Sequence, residues 1–299
     1  MFGQLITVHQ HNFGKVQLPP VGTSGINYSE LTQVDIPMRP RGFAIKYVLE
    51  GTEHYQIQQK SYAVRAGSCL LLPPGARGSV GINSPQAVKG LCITIAPELL
   101  TEVSRSLVLP HEPQVIATPQ HWEASPLADE HFLPASNSKM SSFLQQLDTP
   151  LQAPEAHALS FSSEFYYRIA ELYLGDCTNI YQSLGRINAA RWATRKELYR
   201  RLLLGRSFME DCFMQPVEIA DIARSATMSE YQFFRLFKAV YGISPYQFIL
   251  KKRLDMGYSM LKTGHYTVSE VALQTGFADI FSFSKAFKKR FGQNPSTHF

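Results

Sequence analysis

The C-terminal region repeats itself at an offset of 50 residues. Phe233, Arg235, Phe237, Lys238, Tyr241, Gly242 and Pro245 recur as Phe283, Lys285, Phe287, Lys288, Phe291, Gly292 and Pro295. Upstream, Ile222-Ala223 recur as Val271-Ala272 at an offset of 49, so the second copy holds one extra residue in its turn. Self-similarity at such a period means one supersecondary unit used twice.

Each copy reads as two short helices around a tight turn. In the first, Val217, Ile219 and Ile222 mark a short helix after Pro216, and Ala226-Thr227-Met228 is the turn. Ser229 is an N-cap with Gln232 in the capping-box place. Phe233, Leu236, Phe237 and Val240 follow at helical spacing, and Gly242 stops the helix. In the second copy Thr267 and Glu270 form a capping box, Gly276-Phe277-Ala278 turn, and Asp279 caps a helix that buries Phe283, Ala286 and Phe287 and ends at Gly292. Between the copies, Ser244, Pro245 and Gln247 open a longer helix with Leu250, Leu254, Gly257 and Leu261 on one stripe, closed by Gly264. A helix of about 17 residues spans roughly 25 Å. With the bodies of the two units added, the second helix of each would lie about one DNA turn, ~34 Å, from the other.

The outer faces of those second helices carry the chemistry. The first presents Glu230, Tyr231, Phe234, Arg235 and Lys238; the second presents Ile280, Phe281, Ser282, Lys285, Lys288 and Lys289. Side chains early in a recognition helix enter the major groove, and basic residues further along reach phosphates or guanine edges. Phe234, Ile280 and Phe281 suit thymine methyl groups; Phe234 and Phe281 have packing against a neighbouring helix as the alternative. Charge agrees with a polyanionic partner. Residues 1–185 contain 11 Lys+Arg and 15 Asp+Glu, whereas residues 186–299 contain 18 and 9.

These motifs make residues 199–299 resemble the DNA-binding domain of the AraC/XylS family of bacterial transcription regulators. The signature runs through Ala272, Gly276-Phe277, Phe283-Ser284-Lys285-Ala286-Phe287-Lys288, Phe291-Gly292 and Pro295. Two departures stand out: His298-Phe299 replaces the usual Tyr-Arg after the last proline, and the first turn lacks a glycine. The resemblance implies two recognition helices in successive major grooves, read by Tyr231, Phe234 and Arg235 and by Ile280, Phe281, Ser282 and Lys285. It also implies activation rather than repression, and RNA polymerase as a partner.

Residues 43–95 read as short strands: Phe43–Glu50, Glu53–Ile57, Tyr62–Arg65, Ser68–Leu72 and Val88–Ile95, with turns at Gly51-Thr52, Ala66-Gly67 and Pro73-Pro74-Gly75. Such spacing predicts a barrel or sandwich. Gly51, Tyr55, Tyr62, Gly67, Leu71 and Pro73 resemble, in order, the cupin-like sensor half of the same family. Tyr47, Tyr55 and Arg77 are candidates for binding a small effector in the barrel mouth, subject to a register in which a one-residue slip reverses the faces. The proline-rich stretch 98–135 is expected to wrap the barrel. Lys139–Leu147 and Phe161–Leu174 read as helices, the second bearing Phe161, Phe165, Ile169, Leu172 and Tyr173 for either core packing or a homodimer. Ile187–Phe213 reads as a basic connector with Arg191, Arg195, Arg200, Arg201 and Arg206.

The expected architecture is therefore α+β in two domains: a cupin-like β-barrel with helices, then an all-α domain of two helix-turn-helix units joined by a linker helix. The expected divisions are 1–135 as sensor, 136–198 as helical dimerisation and connector region, and 199–299 as DNA-binding domain. No metal or other cofactor is expected, because Glu53-His54 lacks an H-x-H partner and His111, His121 and His131 fall in loop-like sequence. A cupin-type enzyme on a DNA tether is disfavoured for that reason. An architectural DNA-binding protein without effector control is disfavoured by the two differently decorated recognition helices. No apolar run approaches the ~20 residues of a membrane span. The opening residues lack a signal-peptide pattern, and Cys69, Cys92, Cys177 and Cys212 are scattered, so the cytoplasm is the expected compartment. A promoter-binding regulator without catalytic residues is the function expected.

Overall fold

The computed structural model describes residues 2–14, 20, 22–107, 129–135, 138–152 and 161–297. They divide into two units, Met1–Tyr181 and Gln182–Phe299. The first is the sheet-rich, cupin-like half and the second is all helical.

The sheet of the first unit contains β1 (Phe2–His9), β2 (Ser24–Met38), β3 (Phe43–Glu50), β4 (Thr52–Ile57), β5 (Lys60–Arg65), β6 (Cys69–Leu72), β7 (Gly78–Ile95) and β8 (His131–Leu133). The order is β1-β2-β7-β3-β6-β8, with β4 bridging β5 and β7. The β1–β2 pair is parallel and the other pairs are antiparallel. The long strand β7 pairs with β4 along its first half and with β3 along its second, which curls the sheet around one apolar interior. Leu31, Val34, Ala44, Val48, Tyr55, Ile57, Val64, Leu70, Leu72, Ile82 and Val88 fill that interior.

Strands β1, β2 and the first half of β7 go beyond the sequence reading. The reason is a bulge: Leu31 pairs with Val88 but Gln33 pairs with Asn83, leaving Ser84–Ala87, with Pro85 and its missing N–H, outside the ladder. Inward positions on β2 therefore switch parity, from Asn27, Ser29 and Leu31 to Val34, Ile36 and Met38. A reading based on strict alternation fails across such a switch. The stretch 98–135 also differs from expectation. It begins within α1 (Pro97–Ser106) and includes β8 near its end; residues 108–128, with His111 and His121, lie outside the described residues.

Next come α2 (Lys139–Leu144), α3 (Asp148–Gln152) and α4 (Ser163–Gly185). Helix α4 spends its apolar stripe inside the chain: Tyr166, Ile169, Ala170 and Tyr173 are fully buried, and Tyr173 meets Phe43 of β3 edge-on at 5.5 Å.

The second unit holds α5 (Trp192–Cys212), α6 (Ile219–Ser225), α7 (Glu230–Tyr241), α8 (Pro245–Lys262), α9 (Val268–Gln274) and α10 (Ile280–Phe291). Its repeat is a three-helix one, larger than the two-helix repeat read from the sequence. Helices α5 and α8 play the same part, packing against α6–α7 and α9–α10 respectively. At an offset of 52, Leu202, Gly205 and Met209 of α5 correspond to Leu254, Gly257 and Leu261 of α8. The ring geometry repeats as well. Phe233 and Phe237 lie 5.6 Å apart, Phe283 and Phe287 5.4 Å. Phe237–Tyr241 and Phe287–Phe291 are both at 4.5 Å. A Cβ on Gly205 would lie 2.4 Å from the Phe233 ring, and one on Gly257 2.8 Å from the Phe283 ring. Each glycine is thus a notch for the first buried aromatic of α7 or α10.

Caps fix where those helices begin and end. Ser229 accepts from the Gln232 N–H to start α7, and Asp279 accepts from the Ser282 N–H to start α10. Gly242 and Gly292, at φ of 74° and 77°, terminate them. The boxes at Ser244/Gln247 and Thr267/Glu270 are reciprocal.

Two predictions follow from this packing. Gly205→Val and Gly257→Val should each cost about 1–3 kcal/mol by overpacking, whereas Gly175→Ala on the open face of α4, where a Cβ meets nothing within 4 Å, should be neutral or stabilising. Urea denaturation of the three variants checks both signs. The second concerns Asp279, whose carboxyl the Ser282 backbone N–H holds below its usual range. A depressed folded-state value means that its stabilisation is present above the unfolded value of about 3.9 and is lost as pH falls from there through the lower folded-state value. Asp279→Asn, which keeps an accepting oxygen, should therefore flatten the acid limb of a pH–stability profile; an unchanged limb would contradict the cap's charge dependence.

Candidate functional site

Two sites emerge, one in each unit. In the second unit, the periodicity that buries Phe233, Phe237 and Val240 leaves the opposite face of α7 outward. Tyr231 is 74% exposed, Arg235 and Lys238 are exposed, and Phe234 is half-buried. The Arg235 guanidinium lies 5.8 Å over the Tyr231 ring. On α10, Phe281 is 82% exposed, Ser282, Lys285, Lys288 and Lys289 are exposed, and Ile280 is half-buried. Burying a Phe side chain is worth about 1.5–3 kcal/mol, so a phenylalanine held this far out on a rigid, capped helix forfeits that gain. Each aromatic stands in the first turn of its helix, and each is followed by a cation one turn on.

The charges on these faces are uncommitted. Lys238, Lys285, Lys288 and Lys289 make no hydrogen bond or ion pair among the described residues, whereas other cations of the unit are spent on structure. Arg290 bonds Asp255 through Nε at 3.1 Å. Arg206, 3% exposed, donates to Glu210 at 3.0 Å and lies 4.9 Å over Tyr241. Arg200 and Arg201 hold the Glu197 carboxyl down at about 2. The basic connector read from the sequence is therefore partly an internal scaffold. The first turn manages without glycine by placing Thr227 at φ 54°, with its carbonyl accepting from Arg201 Nη1 at 3.2 Å.

In the first unit the barrel encloses a cavity of about 310 Å³. Leu31, Val34, Met38, Val80, Ile82 and Leu91 form much of its wall. Arg39 and Arg41 line it from the β2–β3 connection, and a further group of polar side chains comes from neighbouring strands. Asn27 and Lys46 flank Cys92 across the β2–β7–β3 register, and Glu53 and Tyr55 come from β4. Lys46 Nζ lies 3.0 Å from Cys92 Sγ, its one hydrogen-bond partner among the described residues. Burial pushes this ammonium down, but the Cys92 and Glu53 neighbours outweigh that and hold it above its usual value. Burial raises the Glu53 carboxyl, against the opposing pull of the Tyr55 hydroxyl, which donates to it, and of Lys46. Asn27 Oδ1 is buried and has no hydrogen-bond partner among the described residues. An ammonium with unused donors and an orphan amide oxygen in one apolar chamber are what a polar ligand group would satisfy.

Of the effector candidates, Tyr55 lines this cavity. Tyr47 does not: it shares a face of β3 with Phe43, which meets α4, while Ala44 and Lys46 point into the chamber. This is the one-residue alternation that the sequence left unresolved. Arg77 is exposed and outside the lining. Lys46, Asn27 and Glu53 went unrecognised; an isolated Lys in the otherwise apolar strand Phe43–Leu49 was the available signal. His54 is exposed on β4, opposite in facing to Glu53, and His131 is buried on β8. No group of three His, Cys, Asp or Glu side chains among the described residues is placed to hold a metal ion, and no helix there is long and apolar enough to cross a membrane.

Comparison with known proteins matches both halves. A family model described as a helix-turn-helix domain matches residues 222–299, and one described as an AraC-like ligand binding domain matches residues 32–148. The probable transcriptional regulator LumQ of Photobacterium leiognathi is 32% identical over 92 residues, 31% of this chain and 37% of that protein. The uncharacterized HTH-type transcriptional regulator YidL of Escherichia coli K12 is 44% identical over 78 residues, 26% of each. These matches thus span about a quarter to somewhat over a third of the curated relatives' length. Among solved structures, fatty-acid-bound ToxT from Vibrio cholerae aligns over 94% of this chain and 96% of its own, at 16% identity and a TM-score of 0.38. With the ligand-binding model in its first half and the helix-turn-helix model in its second, the chain belongs to the AraC family of transcriptional regulators.

Proposed function

We propose that the chain is a sequence-specific, double-stranded-DNA-binding transcription regulator, acting as an activator, whose barrel cavity takes a small effector. The observation that carries this reading is the pair of capped helices in equivalent seats, each presenting an exposed aromatic and uncommitted cations. Tyr231, Phe234 and Arg235 read one half-site and Ile280, Phe281, Ser282 and Lys285 the other. Lys238, Lys288 and Lys289 meet phosphates. RNA polymerase is the partner at the promoter, and the cytoplasm is where the protein works. The different decoration of α7 and α10 favours an asymmetric site read by one chain. The chain is not an enzyme: the polar cluster of the cavity is built to hold a ligand, with Tyr55 and Glu53 bonded to each other and Lys46 turned to an acceptor.

The effector is best served by an apolar body that fills the chamber and an oxygen acceptor that meets Lys46. That inference rests on the wall composition and on the unused donors of the ammonium.

Base and phosphate roles separate experimentally. Binding to a selected site should fall with salt at a log–log slope of at least about three, from the phosphate-facing lysines alone. Arg235→Ala should cost about 1–3 kcal/mol and relax preference at one base pair, Lys285→Ala should do so about ten base pairs away, and Lys289→Ala should weaken all sequences alike. Binding-selection profiles of the three variants check this; an Arg235→Ala loss equal for every sequence would make Arg235 a positioning residue. For the cavity, Ala44→Phe should fill the chamber. Native mass spectrometry of the purified wild type should show a retained small molecule, or a bound probe after adding octanoate, benzoate or L-arabinose. The filled variant should show neither. A wild type that retains and binds nothing would contradict the effector reading.

A further inference from the structure

Arg253 on α8 has no carboxylate partner among the described residues, yet all three of its guanidinium nitrogens are engaged. Nε donates to the Phe213 carbonyl at 2.6 Å, Nη1 to the Gly276 carbonyl at 2.6 Å and Nη2 to the Gln215 carbonyl at 2.8 Å. Phe213 is the C-cap of α5, and Gly276 lies just beyond the end of α9. The carbonyl ends of two helices, each with its partial negative charge, therefore converge on one cation. One helix belongs to the first three-helix unit and the other to the second.

The joint is close-fitting from the opposite side too. Gly276 has φ 81°, and a Cβ there would stand 2.5 Å from the Met214 carbonyl oxygen and 3.0 Å from Arg253 Cζ. The turn of the second unit thus packs directly on the segment 213–215 that leaves α5.

The internal repeat supplies a control. Arg201 occupies in α5 the place of Arg253 in α8, at the same offset of 52 that relates Leu202 to Leu254. Arg201 also reaches the carbonyl of its own unit's positive-φ turn residue, Thr227, at 3.2 Å, but its Nε is taken by Glu197 at 2.8 Å. Both arginines brace a turn within their own unit. Arg253 alone of the two reaches across to the other unit.

We infer that Arg253 is a specificity-determining positioning residue: it sets the separation and rotation of the second reading helix relative to the first, and so the half-site spacing that the protein accepts. This rests on the DNA-reading function proposed above. A connecting helix fixes the distance between its own ends, but α8 is flanked by turns at Gly242 and Gly264, where φ is 74° and 71°. The edge-on contact of Phe248 with Phe237, at 5.6 Å, anchors the start of α8 to α7 but leaves rotation about those turns. A second attachment, through three hydrogen bonds, removes it. Simultaneous engagement of two linked readers gains affinity only at spacings the linkage permits.

The test uses the full-length chain and a selected site whose central spacer is shortened or lengthened by one or two base pairs, with binding followed by fluorescence anisotropy. Wild type should prefer one spacing by about a hundredfold. Arg253→Ala should shrink that preference to within about tenfold while the base preferences inside each half-site persist. Arg253→Lys should behave like the alanine variant more than like wild type, because a point-charge ammonium does not bridge three carbonyls. Gly276→Ala, which keeps the arginine and wedges the joint from the other side, should also broaden or shift the preferred spacing; it decides the matter if the Arg253 variants do not fold by circular dichroism. Folded variants that bind uniformly more weakly with the wild-type spacing preference intact would overturn the inference and leave the DNA-reading function standing. A wild type without sequence-specific binding would overturn both.

Discussion

An aromatic ring seated on a glycine is the contact on which the DNA-facing half depends. Phe233 fits over Gly205 and Phe283 over Gly257, close enough that any side chain on either glycine would meet the ring. These rings set how deep each recognition helix sits and which of its faces turns outward. The following aromatics, Phe237 with Tyr241 and Phe287 with Phe291, continue the same stripe at matching separations. Once that stripe is buried, the 3.6-residue period leaves Tyr231 and Phe281, and the cations behind them, no choice but solvent. The proposed interface is a consequence of the core.

Electrostatics then divides the basic residues into two groups. Arg206, Arg253 and Arg290 are consumed by Glu210, by backbone carbonyls and by Asp255. Their planar, multidentate heads suit such fixed sites. The cations left over on α10 are lysines, compact and strongly hydrated, which is the chemistry of nonspecific phosphate attraction. Arg235 is the exception on a recognition helix, and its guanidinium over Tyr231 is pre-positioned rather than free to wander.

Much of the helical half was legible because local signals agree there. Caps at Ser229, Ser244, Thr267 and Asp279, stops at Gly242 and Gly292, and the Phe stripes all point to the same elements. Both α5 and α8 are readable as segments, but their equivalence is hidden because they share few side chains: Arg206 faces Tyr241 where Tyr258 faces Phe291, so the equivalence is one of role and not of residue. The barrel was harder. Its β2–β7 bulge switches the inward parity at Leu31–Gln33, and a period of two carries no information across such a switch. Tyr47 and Lys46 are adjacent on one strand and opposite in facing, and only the packing of Phe43 on Tyr173 decides which of them sees the cavity. Arg253 was invisible for a different reason: its partners are carbonyls of residues whose identity hardly matters.

On the proposed function, one chain carries two equivalent reading units that engage DNA together. Hydroxyl-radical footprinting of the purified protein on a selected promoter fragment, paired with dimethyl-sulfate protection of guanine N7, tests it most directly. Two major-groove segments centred about ten base pairs apart on one face of the duplex should be protected at the same protein concentration. Protection of a single segment, or two segments that saturate independently, would contradict it.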